Sequence, residues 1–156
     1  MAPRTPNPRP TLAAFGAPLL DEPRREMPLE EAVVRALVAG RRDPTLLRVL
    51  PVVLLKNAGD LDLGGLRRAA RARRVEAELG MFLDLAGTLG RRRALSTAAR
   101  LLSPRVGAPR YYPKPLGGKY GRMLADERTP AVVRRWGFRM NATEEDLRGF
   151  VRKHLG

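Results

Sequence analysis

The spacing of apolar and polar residues predicts two consecutive amphipathic helices between residues 61 and 90. At 100° per residue, the first helix carries leucine and alanine on one side and arginine on the other. The arginines of this face are Arg67, Arg68, Arg71 and Arg74. The second helix repeats apolar residues at the spacing of a core-facing helix, at Val75, Leu79, Phe82, Leu83, Ala86 and Leu89. We therefore expect one helix to offer cations to solvent and the other to supply core.

A central buried helix is predicted for residues 45–57, which are apolar on nearly every side. Asp43 and Pro44 precede it, as is typical of an N-cap followed by the first helical position. Pro51 lies in the middle of the segment and removes one backbone hydrogen bond. The pattern favours a kinked helix over the alternative, a helix that ends before a short strand at 52–55.

Shorter helical patterns cover residues 29–39, residues 94–102 and a C-terminal segment that begins after Thr143, where Thr143 and Asp146 resemble a capping box. Within residues 135–141, large apolar residues alternate with small or charged ones, which predicts a short strand with one buried face. The predicted fold class is α+β and helix-dominated, a compact bundle of about five to six helices with a short C-terminal strand. An all-α bundle is the alternative.

The chain of 156 residues is long enough for one domain with its own core. Residues 1–28 contain seven of the fourteen prolines, which predicts a poorly ordered arm. Residues 29–156 are predicted to form a single helix-dominated domain. Since the chain has no apolar run of about 18 residues and its start lacks the apolar core of a signal peptide, we predict no membrane segment and a cytoplasmic protein.

The side chains that most enzymes use for catalysis are scarce. The chain has no cysteine and one histidine, His154, so a disulfide framework, a cysteine nucleophile and a zinc site built from histidines are excluded. Asp60 and Asp62 form the only Asp-x-Asp pair, which a helix N-cap explains. We therefore predict a non-enzymatic protein without cofactor or metal, the rival being an enzyme that binds a metal ion through Asp60, Asp62, Asp84 or Asp126.

The net charge of +14 is concentrated in the middle of the chain. Residues 63–123 contain fourteen basic residues against three acidic ones, so eleven of the fourteen excess positive charges lie there. Within this part, residues 103–121 have four prolines and four glycines, which predicts a loop, and they interleave tyrosines with basic residues. Such a loop suits stacking on bases and neutralisation of phosphates. The alternative is a surface loop whose tyrosines pack against the core.

These patterns predict a basic surface that contacts DNA or RNA. The predicted nucleic-acid-binding residues are Arg67, Arg68, Arg71, Arg74, Arg91, Arg92, Arg93, Arg105, Arg110, Tyr111, Tyr112, Lys114 and Lys119. Residues 91–93 are equally explained as solvated arginines that interact favourably with the C-terminal end of the preceding helix. A different class of function is also open, a helical adaptor whose arginine face docks an acidic protein partner.

Two parts of the sequence resemble the C-terminal region of AbiEi-type antitoxins, over about residues 60–145. The first part carries Leu61-Asp62-Leu63, Leu66, Ala69, Ala70, Glu78-Leu79-Gly80 and Phe82-Leu83. The second part is Arg135-Trp136-Gly137-Phe138-Arg139-Met140-Asn141, similar to the strand that ends many members of the family. Between them, residues 111–115 lie where the family has a segment with tyrosine and proline. Gly80 in the first motif is expected to allow close packing.

The resemblance implies a regulatory antitoxin of a type IV-like toxin–antitoxin system, the partner of a nucleotidyltransferase-like toxin. In that family the C-terminal region carries the antitoxic activity, and an N-terminal winged helix binds operator DNA. This chain departs from the family there, because residues 1–28 are rich in proline and residues 29–57 predict two helices without a wing hairpin. The resemblance therefore implies the antitoxic role and leaves operator binding without a counterpart in this chain.

Overall fold

The computed structural model describes residues 6–115 and 117–155, which contain nine helices and two short strands. In chain order they are α1 (Arg9–Ala14), α2 (Leu29–Ala39), α3 (Pro44–Lys56), α4 (Leu63–Ala72), α5 (Glu76–Leu89), α6 (Arg93–Ala99), β1 (Arg110–Tyr111), α7 (Gly118–Arg128), α8 (Ala131–Arg135), β2 (Phe138–Arg139) and α9 (Glu144–Leu155). The helix-dominated α+β class is confirmed. Helices α1, α7 and α8 account for the difference from the expected number.

Helices α3 and α5 form the centre of the fold. Most of both helices is buried, and α5 packs against α2, α3, α4, α6, α8 and α9. Pro51 lies inside α3, which continues to Lys56 instead of giving way to a strand. Asp43 accepts a hydrogen bond from the Thr45 amide, which confirms the predicted N-cap. The apolar circumference of this segment therefore reflects its enclosure by other helices.

The predicted helix pair is present as α4 and α5. Asp62 caps α4 by accepting a hydrogen bond from the Gly65 amide at 2.9 Å, which confirms the N-cap interpretation of the Asp-x-Asp pair. The predicted capping box at the start of α9 is also present, because the Thr143 hydroxyl accepts from the Asp146 amide at 3.1 Å. Hydrogen bonds with Thr143 hold the pKa of the Asp146 carboxyl below its usual value.

The expectation of a poorly ordered arm over 1–28 is wrong for residues 6–28. Leu12 of α1 is fully buried in the common core, and α1 packs against α2. Arg9 forms ion pairs with Asp21 at 3.0 Å and with Asp43 at 2.9 Å. The high proline content is compatible with this helix, because proline is tolerated in the first turn of a helix and α1 has a proline there. The apolar side of this short helix then packs against the rest of the domain.

The two strands form a parallel pair in which Arg110 lies opposite Phe138. Helices α7 and α8 form the crossover that parallel pairing requires. Strand β2 lies within residues 135–141, so the predicted C-terminal strand is confirmed. Its partner β1 and the first turn of α7 lie within residues 103–121, so the expectation of a loop is wrong at 110–111 and 118–121 and holds for the other described residues of this segment.

The reason is that a segment without periodicity can still pair its backbone with a neighbour. The Arg110 amide donates to the Gly137 carbonyl at 3.1 Å, and the Tyr112 amide donates to the Arg139 carbonyl at 2.8 Å. This pairing anchors the segment on the core.

In the described part of the chain, no helix combines the length and the apolar character that crossing a bilayer would require.

Candidate functional site

Four of the arginines predicted from the sequence line one open cavity of about 370 Å³, which we call the first basin. Arg71 and Arg74 come from the end of α4 and the turn after it, Arg105 from the segment before β1, and Arg110 from β1. Two glutamates, Glu76 and Glu78, also line the first basin. The fold therefore brings together cations that are up to 39 positions apart in the sequence.

Arg74 projects into the first basin from a left-handed backbone position, with φ of 57°. Its amide donates to the Arg71 carbonyl at 3.2 Å, and the Val75 amide donates to the Ala70 carbonyl at 2.9 Å. This pair of hydrogen bonds is the Schellman motif, whose left-handed residue is usually glycine. An arginine there is strained by its Cβ. The chain thus places a cation where stability alone favours glycine.

Replacing Arg74 with glycine is expected to raise the free energy of unfolding by about 0.5–1 kcal/mol, because glycine adopts the left-handed conformation without a Cβ clash. Urea denaturation followed by circular dichroism measures the change. Arg73→Gly is the matched control, since Arg73 has φ of −102° and should show no gain. A loss of stability for Arg74→Gly would contradict this account of the turn.

Arg105 is held in place by its own segment and by β2. Its Nη1 donates to the carbonyls of Ala108 at 3.1 Å and Gly137 at 3.3 Å, and its guanidinium carbon lies 5.8 Å from the centroid of the Phe138 ring. Such a cation–π contact adds about 0.5–1 kcal/mol at an exposed site. Arg105 is therefore a fixed cation, whereas Arg71, Arg74 and Arg110 are exposed.

A second open cavity, of about 540 Å³, adjoins the first basin, because Arg110 lines both. We call it the second basin. Its lining residues are Arg41, Arg42, Arg110, Tyr111, Lys114, Pro115 and Arg122. They come from the turn after α2, from β1, from the segment after β1 and from α7. We refer to the two basins, which share Arg110, as the basic groove.

Three long-range contacts position the second basin. Arg41 Nη2 lies 2.9 Å from Oε2 of Glu78. The Lys114 amide donates to the Arg41 carbonyl at 2.9 Å. The Tyr111 hydroxyl donates to Asp126 Oδ1 at 2.9 Å, and this hydrogen bond raises the pKa of the Tyr111 phenol above its usual value. These three contacts therefore hold Arg41, Tyr111 and the backbone of Lys114 in place.

Tyr112 was predicted as a nucleic-acid contact, and this prediction is wrong. Its side chain is 1% exposed, and its hydroxyl donates to the Leu37 carbonyl at 2.8 Å. Its ring lies between those of Phe82 and Phe138, with centroids 5.7 Å and 6.0 Å away. Burial, followed by the nearby Glu78 carboxylate, raises the pKa of the phenol. The alternative, packing against the core, holds for Tyr112, because side chains alternate between the two faces of a strand and its extension.

The remaining predicted residues lie outside both basins. Arg67 lines a separate cavity of about 80 Å³ whose other residues are mostly apolar. Arg68 Nη2 lies 4.0 Å from Asp62 Oδ2. Lys119 is exposed on α7. Arg91 lines another cavity with cations of α9, whereas Arg92 and Arg93 are exposed at the start of α6. The structure therefore divides the predicted residues into one groove and several scattered positions.

Sequence reasoning missed Arg41, Arg42 and Arg122 as members of the site. Arg41 and Arg42 lie just after the helical pattern predicted for residues 29–39, so their adjacency was the only local signal. Arg122 follows the segment that was predicted as a loop and lies in α7. Their convergence depends on the pairing of β1 with β2, which the periodicity of the sequence does not encode.

Three of the four aspartates of the metal-enzyme alternative serve other contacts. Asp62 caps α4, Asp84 accepts a hydrogen bond from Trp136 Nε1 at 2.9 Å, and Asp126 accepts from Tyr111. Within residues 6–115 and 117–155, no three acidic or histidine side chains are grouped so that they could hold a metal ion.

Comparison with known proteins leaves the groove itself as the basis for a functional conclusion. No family model matches the chain, and no curated protein or solved structure shows significant similarity to it.

Proposed function

We propose that the protein is a non-enzymatic nucleic-acid-binding protein, and that the basic groove contacts the phosphate backbone. The observation that carries the proposal is the convergence of Arg71, Arg74, Arg105 and Arg110 on the first basin, continued by Arg110 into the second. Placing like charges together costs free energy, which an anionic ligand offsets. The phosphodiester backbone of nucleic acid is a large anion that arginine recognises through charge-assisted hydrogen bonds.

The mechanism is phosphate neutralisation rather than base readout. Arginine guanidinium groups form charge-assisted, often bidentate hydrogen bonds with phosphate oxygens. Phosphate contacts position a protein on nucleic acid without reading its sequence. With Tyr112 buried, Tyr111 is the aromatic residue that the described lining of the groove retains. Affinity is therefore expected to depend strongly on salt and weakly on base sequence.

The biological role that we attach to this activity is that of a cytoplasmic, antitoxin-like regulator. The support is the resemblance of residues 60–145 to AbiEi-type antitoxins, which brings a nucleotidyltransferase-like toxin as the partner. The test is co-expression of this chain with the product of a neighbouring reading frame of that type. Rescue of growth supports the regulatory role, and unchanged toxicity contradicts it while leaving nucleic-acid binding as a separate question.

Salt dependence is the direct test of binding by the groove. Fluorescence anisotropy with a labelled duplex of about 20 base pairs should give log affinity falling linearly with log salt, at a slope near −5 for about six phosphate contacts. A slope near zero, or no binding of duplex or single strand at about 50–100 mM salt, would contradict the proposal. That result would favour the adaptor that docks an acidic protein.

Variants of α4 separate the groove from the overall charge. Arg71→Ala with Arg74→Ala removes two cations of the first basin, and should weaken duplex binding about tenfold and lower the slope by about 1.8. Arg67→Ala with Arg68→Ala removes the same amount of charge from α4, outside the basins. An equal loss in both double variants would show that net charge, rather than the groove, governs binding.

A further inference from the structure

The second basin has a different charge balance from the first. Arg41, Arg42, Arg110, Lys114 and Arg122 line it, and no carboxylate occurs among its described lining residues. The first basin, by contrast, includes two glutamates. Apart from Arg41, which is paired with Glu78, the cations of the second basin therefore repel one another with no carboxylate among the described lining residues to offset the repulsion. A ligand that carries several negative charges in a small volume is the natural counterpart.

The cation at its inner side is fixed by a buried carboxylate. Glu78 is 3% exposed and holds Arg41 Nη2 at 2.9 Å, while Arg41 Nε is buried without a hydrogen-bond partner in the described part of the chain. The Arg41 carbonyl is in turn held by the Lys114 amide. This arrangement restricts the Arg41 guanidinium before any ligand arrives, which reduces the entropy lost on binding.

The size and the walls of the second basin suit a compact ligand. Its volume of about 540 Å³ lies within the range of about 300–1,000 Å³ found for small-molecule sites. Tyr111 and Pro115 add apolar surface beside the cations, and the Tyr111 hydroxyl is bound to Asp126. A tyrosine ring that is tied at its hydroxyl can pack against a planar base.

We propose that the second basin binds a cluster of linked phosphates, carried either by a free nucleoside polyphosphate or by the phosphorylated end of a nucleic-acid strand. A strand backbone carries about one charge per 3.4 Å of helix axis. A di- or triphosphate concentrates several charges at one point, which matches a cavity lined by four cations besides Arg41, whose charge is paired with Glu78. This inference goes beyond backbone binding, because it requires recognition of a compact group.

The first experiment uses free ligands and the intact chain. Isothermal titration with ATP, inorganic pyrophosphate and adenosine at about 0.1 M salt should show binding of both phosphate compounds, and binding of adenosine at least about tenfold weaker. Arg42→Ala with Arg122→Ala should lower ATP affinity about tenfold, since each removed guanidinium loses a charge-assisted hydrogen bond. Both residues are exposed, so folding should be retained.

The matched control is Arg71→Ala with Arg74→Ala, which alters the first basin alone and should change ATP affinity less than about twofold. A second arm compares one oligonucleotide with a 5′-triphosphate and with a 5′-hydroxyl end. Tighter binding of the triphosphate form, lost in the Arg42/Arg122 variant, identifies a strand end as the source. ATP binding without such a preference identifies a free nucleotide.

The proposal is overturned if the binding of ATP, of pyrophosphate and of the 5′-triphosphate end is unaffected by the change of Arg42 and Arg122. It is also overturned if the first-basin variant loses as much ATP affinity as the Arg42/Arg122 variant. The 5′-hydroxyl oligonucleotide reports separately on backbone binding. If it fails to bind while ATP binds through Arg42 and Arg122, backbone binding is contradicted and the site in the second basin stands.

Discussion

Replacing Tyr112 with alanine is expected to lower the free energy of unfolding by about 3–5 kcal/mol, the usual cost of deleting a large buried aromatic side chain. Tyr112 stands between α2 and α5, because its hydroxyl bonds to Leu37 while its ring packs edge-on against Phe82. The substitution leaves a cavity and also an unpaired carbonyl at Leu37. Urea unfolding followed by circular dichroism measures the loss.

Two variants separate the components of this effect. Tyr112→Phe keeps the ring and removes the hydroxyl, so a loss of about 1 kcal/mol is expected. Tyr120→Ala is the matched control, because Tyr120 is 68% exposed and its loss should change stability by no more than about 0.5 kcal/mol. Similar small effects for Tyr112→Ala and Tyr120→Ala would show that Tyr112 is not buried as described.

Replacing Gly80 with alanine is expected to destabilise the protein by about 2–3 kcal/mol, although this change usually stabilises a helix by about 1 kcal/mol. Gly80 lies in α5 directly beneath the indole of Trp136, and a Cβ there would overlap ring atoms Cζ3 and Cη2. The indole cannot easily retreat, because its Nε1 donates to Asp84. The close packing expected at Gly80 is therefore packing against the Trp136 ring.

Gly149→Ala is the control for helix propensity, since a Cβ at Gly149 in α9 meets nothing within 4 Å. It should stabilise the protein by about 0.5–1 kcal/mol. A double-mutant cycle completes the test, because in a Trp136→Leu background Gly80→Ala should lose most of its cost. If Gly80→Ala stabilises the chain that retains Trp136, the close contact is refuted.

Local signals in the sequence were sufficient for much of the secondary structure. The periodic segment 29–39 is a helix with the expected bounds, and the N-caps at Asp43, Asp62 and Thr143 lie where their side chains predict. Helical periodicity and capping involve residues only a few positions apart, so they can be recognised without knowledge of the fold. The central charge excess is likewise a property of composition alone.

Tertiary packing decided the rest. Strand β1 exists because β2 offers it a backbone partner, and that pairing turns Tyr112 into the core while Arg110 and Tyr111 line the groove. The same pairing brings residues 105–114 between the ends of α2 and α4, which unites Arg41 with Arg110 and Arg110 with Arg74. The arginine face predicted on α4 is divided, since only its C-terminal half reaches the first basin. Helical periodicity could identify which residues face outward, but grouping them needs long-range contacts, and these depend on how separate elements pack.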